Sequence, residues 1–327
     1  MQTTEIITTQ GSAITAPLEM LAQLTEMLKA FAQALTLRER AGEIASNTAA
    51  AYLRGSGKFI AWLSAQESCS VEADTIRSWK AYLAEKGYTP ATVNAWLAGV
   101  KALFAWAAER GRLPYNPAAL VKGASRKGAK RTHKREALTA LEVRRSLALP
   151  NTGTQGGARD KAIIALMAYT GVRSVEVHRA DLGDLRTQGG RLVLFVQGKG
   201  HTESDDFVVI ANPALESALR DWLVVRGQHP GALFCSLSNR SHGERLSLRA
   251  LRHLVKANFA QAGVIGNKST HSLRHTAITA AITAAAKNKL PLTSVMSMSR
   301  HVNVDTLMIY AHELDRLESP IEALINY

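Results

Sequence analysis

The chain has 327 residues, of which 46% are hydrophobic and 20% charged, so it is long enough for two domains and too apolar to be disordered. Its formal net charge of +13 favours a polyanionic partner, with nucleic acid ahead of an acidic membrane surface, although a basic cytosolic enzyme would carry the same charge. Two cysteines, Cys69 and Cys235, are too few for a disulfide framework and indicate a reducing compartment.

The N-terminal part begins with a Thr-rich segment, residues 1–16, which we expect to be a flexible lead-in and not a secretory signal. From residue 18 to residue 35, leucines and a phenylalanine recur at steps of three and four, which predicts an amphipathic helix. Glu19, Glu26 and Lys29 lie within this stretch and argue against a membrane span.

Helix signals continue as far as residue 121. The segment Ser46-Asn47-Thr48 is predicted to cap a helix that buries Phe59. Thr89 is predicted to cap another helix, with Pro90 at its first position, where a missing N–H is harmless. No alternation of apolar and polar residues occurs before residue 120, so residues 17–121 are predicted to form an all-helical domain.

A basic interdomain linker is predicted over residues 122–136. Residues 122–135 contain seven Lys and Arg, two glycines, no acidic residue and no large apolar residue. Such a run either stays solvated or lies along phosphates, and we favour the phosphate contact because of the motifs described below. The predicted DNA-binding residues are Lys122, Arg126, Lys127, Lys130, Arg131, Lys134 and Arg135.

A second domain is predicted over residues 137–318. Thr139 and Glu142 have the spacing of a capping box at a helix start. An apolar helix is predicted over residues 160–169, with its end at Gly171.

The apolar period then changes. Residues 192–196 and 207–210 predict two strands, with a turn at residues 197–201 between them. From Pro213 onward the periodicity predicts helices. The C-terminal segment, residues 319–327, has a short apolar face that we interpret as a candidate protomer contact.

Several polar residues in the second domain carry candidate chemistry. Each has an ordinary alternative: an arginine paired with a surface acid, an exposed turn lysine, a satisfied polar histidine or a core tyrosine. His271 and His275 have zinc-like spacing but lack the glutamate or cysteine pair of known zinc motifs, so no metal site is expected. The candidate residues are Arg173, Lys199, His271, Arg274, His301 and Tyr310.

Together these residues describe a metal-free phosphoryl-transfer site. Arg173 and Arg274 can stabilise charge on the nonbridging oxygens of a phosphodiester under attack. Tyr310 can hold the phosphate covalently, and Lys199 can protonate the departing hydroxyl. His271 lies one helical turn before Arg274, and His301 can hydrogen-bond the phosphate.

The order R…K…HxxR…H…Y, with Tyr310 nine residues after His301, resembles the tyrosine recombinase family of lambda-type integrases, Cre and Xer proteins. The similarity extends from about Ser46 to Tyr310. It implies a mainly α fold in which an all-helical core-binding domain and a mixed α/β catalytic domain with a small antiparallel sheet form a C-shaped clamp. It also implies that the six candidate residues are catalytic and that Glu176 supports Arg173.

The resemblance implies a site-specific recombinase that cuts and rejoins double-stranded DNA through a 3′-phosphotyrosyl intermediate and a Holliday junction. We expect a homotetramer on two paired sites, with room for accessory proteins, in the cytoplasm and without a cofactor, metal or membrane. The alternatives are a type IB topoisomerase and a catalytically silent DNA-binding protein of the same fold. One departure is Ser299-Arg300, where the family usually has Leu-Gly.

Overall fold

The structure, a computed structural model, describes residues 17–66, 70–125, 136–198 and 205–300, together with residues 304 and 307. The chain divides into two compact units, Met1–Ala129 and Lys130–Tyr327. The division falls within the predicted linker, residues 122–136.

The described part of the first unit is helical, with a core of large aromatic and aliphatic side chains. Phe31, Phe59, Trp79 and Phe104 are almost completely buried, and the Phe59 ring meets the Trp79 and Phe104 rings edge to face. Aromatic pairs in this geometry stabilise a core beyond their buried area. The helices are α1 (Pro17–Arg40), α2 (Ser46–Leu63), α3 (Ala73–Glu85) and α4 (Pro90–Glu109).

Helices α2 and α4 approach each other through two glycines. A Cβ atom at Gly55 would lie 2.3 Å from the carbonyl oxygen of Trp96, and one at Gly99 would lie 2.4 Å from that of Tyr52. The buried Ser56 hydroxyl donates to the Gly99 carbonyl at 3.0 Å. Only glycine permits this backbone contact.

The helix starts predicted in this unit had mixed outcomes. Thr89 does cap α4, since its side chain accepts a hydrogen bond from the Thr92 N–H, and Pro90 is the first helical residue. The prediction for Ser46 was wrong: Ala45 is the N-cap of α2, and no side chain caps it. Ser46 is already helical, so its hydroxyl is not in the capping position.

The second unit has its core around α6. Residues Ala162, Ile163, Ile164 and Leu166 are completely or almost completely buried, and α6 packs against α8 and α10. The predicted capping box of Thr139 and Glu142 is present. The helices are α5 (Ala140–Ala148), α6 (Gln155–Thr170), α7 (Ser174–Arg179), α8 (Pro213–Arg226), α9 (Leu248–Gln261), α10 (Thr270–Lys287) and α11 (Leu292–Ser299).

The sheet of this unit is antiparallel, with the strand order β1-β2-β3. Its strands are β1 (Leu185–Gln188), β2 (Arg191–Val196) and β3 (Asp206–Val209). Pairing of Leu194 with Val208 buries both side chains. The two predicted strands and their antiparallel pairing are confirmed, and β1 is an additional strand.

The helices predicted from Pro213 onward are interrupted. Between α8 and α9, residues 227–247 form turns and isolated bridges instead of helix. Gly227, Gly231 and Gly243 have positive φ angles, which a continuing helix excludes. Within the described parts of the chain, no helix combines the length and the apolar character needed to cross a membrane.

Candidate active site

The site is built first on the turn between α6 and α7. Gly171 ends α6 with a left-handed backbone, φ 65° and ψ 17°, and Arg173 is the N-cap of α7. Glu176 binds Arg173 twice: one carboxylate oxygen accepts from the Arg173 backbone N–H at 2.7 Å, and the other from its guanidinium Nη1 at 2.8 Å. The Glu176 side chain is 1% exposed and that of Arg173 is 36% exposed. The buried carboxylate therefore fixes a guanidinium that still reaches the surface.

Arg274 enters the site from the second turn of α10. Its side chain is buried, and its Nη1 donates to the Gly171 carbonyl at 2.6 Å. Its Nη2 donates to the Ser299 carbonyl at 2.6 Å, at the end of α11. The guanidinium therefore joins the turn that carries Arg173 to the end of α11, in addition to its predicted role in phosphate binding.

His271 lies in the first turn of the same helix. Ser269 is the N-cap of α10, and its hydroxyl accepts from the His271 backbone N–H at 3.3 Å. His271 is exposed, whereas Arg274 is buried. The imidazole is accessible from the solvent at the edge of the site.

Arg300 is a fourth charged residue of the site, and no role for it was predicted from the sequence. It caps the C-terminus of α11 in the left-handed conformation, φ 55° and ψ 43°. Its Nη2 donates to a Glu176 carboxylate oxygen at 2.6 Å, and its Nε lies 3.1 Å from a carboxylate oxygen of Asp206 on β3. Its side chain is 6% exposed, and its Nη1 is buried with no hydrogen-bond partner among the described residues.

This arrangement has two energetic costs. Burial lowers the pKa of the Arg300 guanidinium below its ordinary value, and the neighbouring Glu176 and Asp206 carboxylates oppose that shift. A left-handed backbone at a residue with a Cβ costs about 1–2 kcal/mol. Glycine would avoid both costs. The signal in the sequence was a charged residue at a position where glycine is usual.

Three predicted catalytic residues, Lys199, His301 and Tyr310, lie outside the described residues. Lys199 falls between β2 and β3, whose last pair is Val196 with Asp206. Leu307 is described, and it is fully buried in a cluster with residues of α10 and α11 that includes Ile278 and Val295.

Of the predicted linker contacts, the structure describes Lys122 alone. Lys122 is exposed, and its carbonyl accepts a hydrogen bond from Lys80 Nζ at 2.9 Å. The other six lie outside the described residues: Arg126, Lys127, Lys130, Arg131, Lys134 and Arg135. Over the ranges that the structure does describe, no group of three or more His, Cys, Asp or Glu side chains could hold a metal ion.

The structure thus brings Arg173, Glu176, Arg274 and Arg300 together where the α6–α7 turn, α10 and the end of α11 meet. A cluster that has more guanidinium than carboxylate groups, and that reaches the surface through Arg173, can bind a phosphate and stabilise charge that develops on it.

Comparison with known proteins gives two family matches. Residues 136–316 match the phage integrase family, and residues 28–111 match the phage integrase N-terminal SAM-like domain. The first match alone spans more than half of the chain. The chain belongs to the phage integrase family. It is a tyrosine recombinase, and the predicted mainly α fold with a small antiparallel sheet is confirmed.

Individual relatives agree with this assignment. A tyrosine recombinase of Synechococcus elongatus is 34% identical over 255 residues, which cover 76% of this chain and 75% of that protein. The fold resembles that of XerH site-specific recombinase bound to its palindromic difH substrate after cleavage, with a TM-score of 0.71, 19% identity, and 96% and 97% of the two chains covered. It also resembles a lambda integrase tetramer bound to a Holliday junction, with a TM-score of 0.64, 15% identity, and 90% and 81% covered.

Proposed function

We propose that the recombinase binds double-stranded DNA and that Tyr310 attacks one of its phosphodiesters. The phenolic oxygen forms a bond to phosphorus, and the bond from phosphorus to the 5′ oxygen breaks. The products are a 3′-phosphotyrosyl linkage and a free 5′-hydroxyl. Because one phosphodiester replaces another, no ATP is consumed, and the 5′-hydroxyl of a partner strand can reverse the step.

The observation that carries this proposal is the arginine cluster. Arg173 reaches the surface while Glu176 holds it in place, and Arg274 lies against the same turn. Charge gathers on the nonbridging oxygens in the transition state, and preorganised guanidiniums stabilise it without a metal. The chain leaves this cluster at the end of α11 and reaches Tyr310 ten residues after Arg300.

The remaining steps are proton transfers. We assign Lys199 as the general acid that protonates the leaving 5′ oxygen, because it falls on the connection between two paired strands of the same domain. We assign His271, exposed at the start of α10, as the base that accepts the phenol proton. His301 donates a hydrogen bond to the phosphate.

At the level of the assembly, we propose four protomers on two paired sites, with a Holliday junction between two rounds of exchange. The fold resembles that of a lambda integrase tetramer on such a junction. The basic linker would lie along the phosphates of each site. The proposal places the protein on the chromosome, in the cytoplasm.

The test is recovery of covalently bound DNA. The full chain is incubated with fragmented DNA of its source and then denatured. The strands that stay attached are sequenced, and the residue to which they are linked is identified. We expect recovery of one recurring sequence with wild type and with Tyr115→Phe, an exposed tyrosine of the first unit, and none with Tyr310→Phe. An adduct that survives in Tyr310→Phe would show that the nucleophile is elsewhere.

A second assay distinguishes the reaction from that of a type IB topoisomerase. Two duplexes carrying the recovered sequence should exchange strands and give a junction intermediate on native gels. Relaxation of a supercoiled plasmid without any exchange between two sites would favour the topoisomerase instead.

A further inference from the structure

Arg300 is difficult to explain as a residue that stabilises the fold. Its backbone is in a conformation that favours glycine, and it buries one N–H-bearing nitrogen, Nη1, with no acceptor in the described part of the chain. Local features that oppose stability are typical of functional sites, where another part of the structure compensates for them. The compensation here comes from two carboxylates.

The guanidinium of Arg300 connects three elements of the second unit. It extends from the end of α11, its Nη2 binds Glu176 on α7, and its Nε binds Asp206 at the start of β3. Asp206 pairs in register with Val196, the last residue of β2, so this contact lies at the base of the connection that contains Lys199. One side chain therefore links Arg173's carboxylate partner, the base of that connection and the segment that leads to His301.

Arg300 also changes the balance of charge around Arg173. Arg173 and Glu176 alone would form a closed ion pair whose charges cancel. With Arg300 on the same carboxylate, the three side chains keep a net positive charge. Asp206 contributes less to the field at Arg173, because its side chain is 46% exposed and screened by water.

We propose that Arg300 is a positioning residue for strand cleavage: it shares Glu176 with Arg173, so that the Arg173 guanidinium is held in place and keeps its charge for the scissile phosphate. The inference rests on the proposed function. Arg300 acts through Arg173 on the charged transition state, so its loss should slow cleavage at saturating DNA and leave DNA affinity nearly unchanged.

The test uses a nicked duplex of the sequence recovered above. After cleavage the short freed strand dissociates, so the reaction cannot reverse and the covalent adduct accumulates. Arg300→Met and Arg300→Gly should cleave it up to about a hundredfold more slowly than wild type, with the dissociation constant for the duplex unchanged. The glycine variant also removes the strained backbone, so a defect shared by both variants belongs to the lost guanidinium. Arg300→Lys should remain well below wild type, because an ammonium cannot bind both carboxylates as the planar fork does.

Arg159→Met is the matched control. Arg159 is 13% exposed, pairs with Asp160 at 2.8 Å, and donates to the Cys235 carbonyl at 3.2 Å. It lies near the start of α6, at the opposite end of that helix from Gly171. This variant loses a partly buried arginine–carboxylate pair of the same domain and should cleave at the wild-type rate.

A second readout distinguishes positioning from a general packing defect. If the scissile phosphate carries a methyl group in place of the nonbridging oxygen that faces Arg173, the negative charge on that oxygen is gone. The difference in rate between Arg300→Met and wild type should then shrink, and a second substitution, Arg173→Lys, should add little to the first.

Wild-type cleavage by Arg300→Met or Arg300→Gly would overturn the inference, as would a defect of the same size on the methylated substrate. If the methionine variant does not fold, wild-type cleavage by Arg300→Lys would overturn it equally. Failure of the proposed function would give a different result, because the wild-type protein itself would then form no adduct at Tyr310.

Discussion

Glu176 is the side chain whose replacement tests the site most directly. Its buried carboxylate accepts three hydrogen bonds: from the Arg173 backbone at 2.7 Å, from the Arg173 guanidinium at 2.8 Å and from Arg300 at 2.6 Å. Glu176→Gln has nearly the same shape but carries no charge. Its amide NH2 would face a guanidinium donor, and its one oxygen cannot replace both carboxylate oxygens.

The expected loss of stability follows from these contacts. A hydrogen bond to a charged group contributes about 1.5–3 kcal/mol, and the loss of one partner of a buried ion pair costs about 3–5 kcal/mol. We therefore expect about 3–5 kcal/mol from Glu176→Gln, because the bonds are coupled and do not add. In a domain of this size, each kcal/mol lowers Tm by about 2–4 °C, so the transition should fall by roughly 6–20 °C.

Calorimetry of the full chain at neutral pH measures this shift. The matched control is Glu244→Gln, an exposed glutamate of the same unit, which should leave Tm unchanged. A Tm for Glu176→Gln within about 2 °C of the control would refute the reasoning, because the loss of a carboxylate that binds two buried or half-buried guanidiniums should lower the free energy of unfolding by more than this.

The remaining predictions concern pH, salt and assembly. Burial raises the pKa of Glu142, but hydrogen bonds from Lys268 and Thr139 outweigh it and lower that pKa from 4.5 to about 2. The pKa in the folded state is lower than that in the unfolded state, so this stabilisation is present above about pH 4.5 and is lost as pH falls toward 2. The difference in Tm between wild type and Glu142→Gln should therefore shrink over that range. A difference that stays constant would contradict this prediction. Neutralising three basic residues of 122–135 should flatten the slope of log K against log salt by roughly 2–3 in anisotropy titrations, whereas an unchanged slope would indicate a merely solvated linker. Deleting residues 319–327, which lie outside the described residues, should preserve single-site binding and weaken cooperative assembly in gel shifts; a lower Tm of the monomer with loss of DNA binding would place the segment in its own core.

The parts of the fold that the sequence predicted are those with local signals. The cap at Thr89, the capping box at Thr139, and the end of α6 at Gly171 each depend on residues within one helical turn. The strand β1 had no such signal, because its residues Leu185–Gln188 are mostly exposed and do not alternate. Ser46 has a side chain suited to capping, but it lies one residue after the N-cap position, which Ala45 occupies.

The site divides in the same way. The spacing of Arg173 and Glu176 made their contact predictable, since an N-cap residue and the residue three positions later meet at a helix start. The bond between Arg300 and Glu176 joins residues 124 apart, and no local pattern connects them. Sequence reasoning found Arg300 unusual, but only the tertiary structure shows which carboxylates it binds.

The burial of Leu307 limits how far Tyr310 can move away from α10 and α11. Leu307 is fully buried against α10 and α11, and Tyr310 follows it three positions later in the chain. Even a fully extended chain of three residues spans no more than about 11 Å. If Tyr310 is the nucleophile, as proposed, its transfer to a neighbouring protomer beyond this reach would first require Leu307 to leave its cluster.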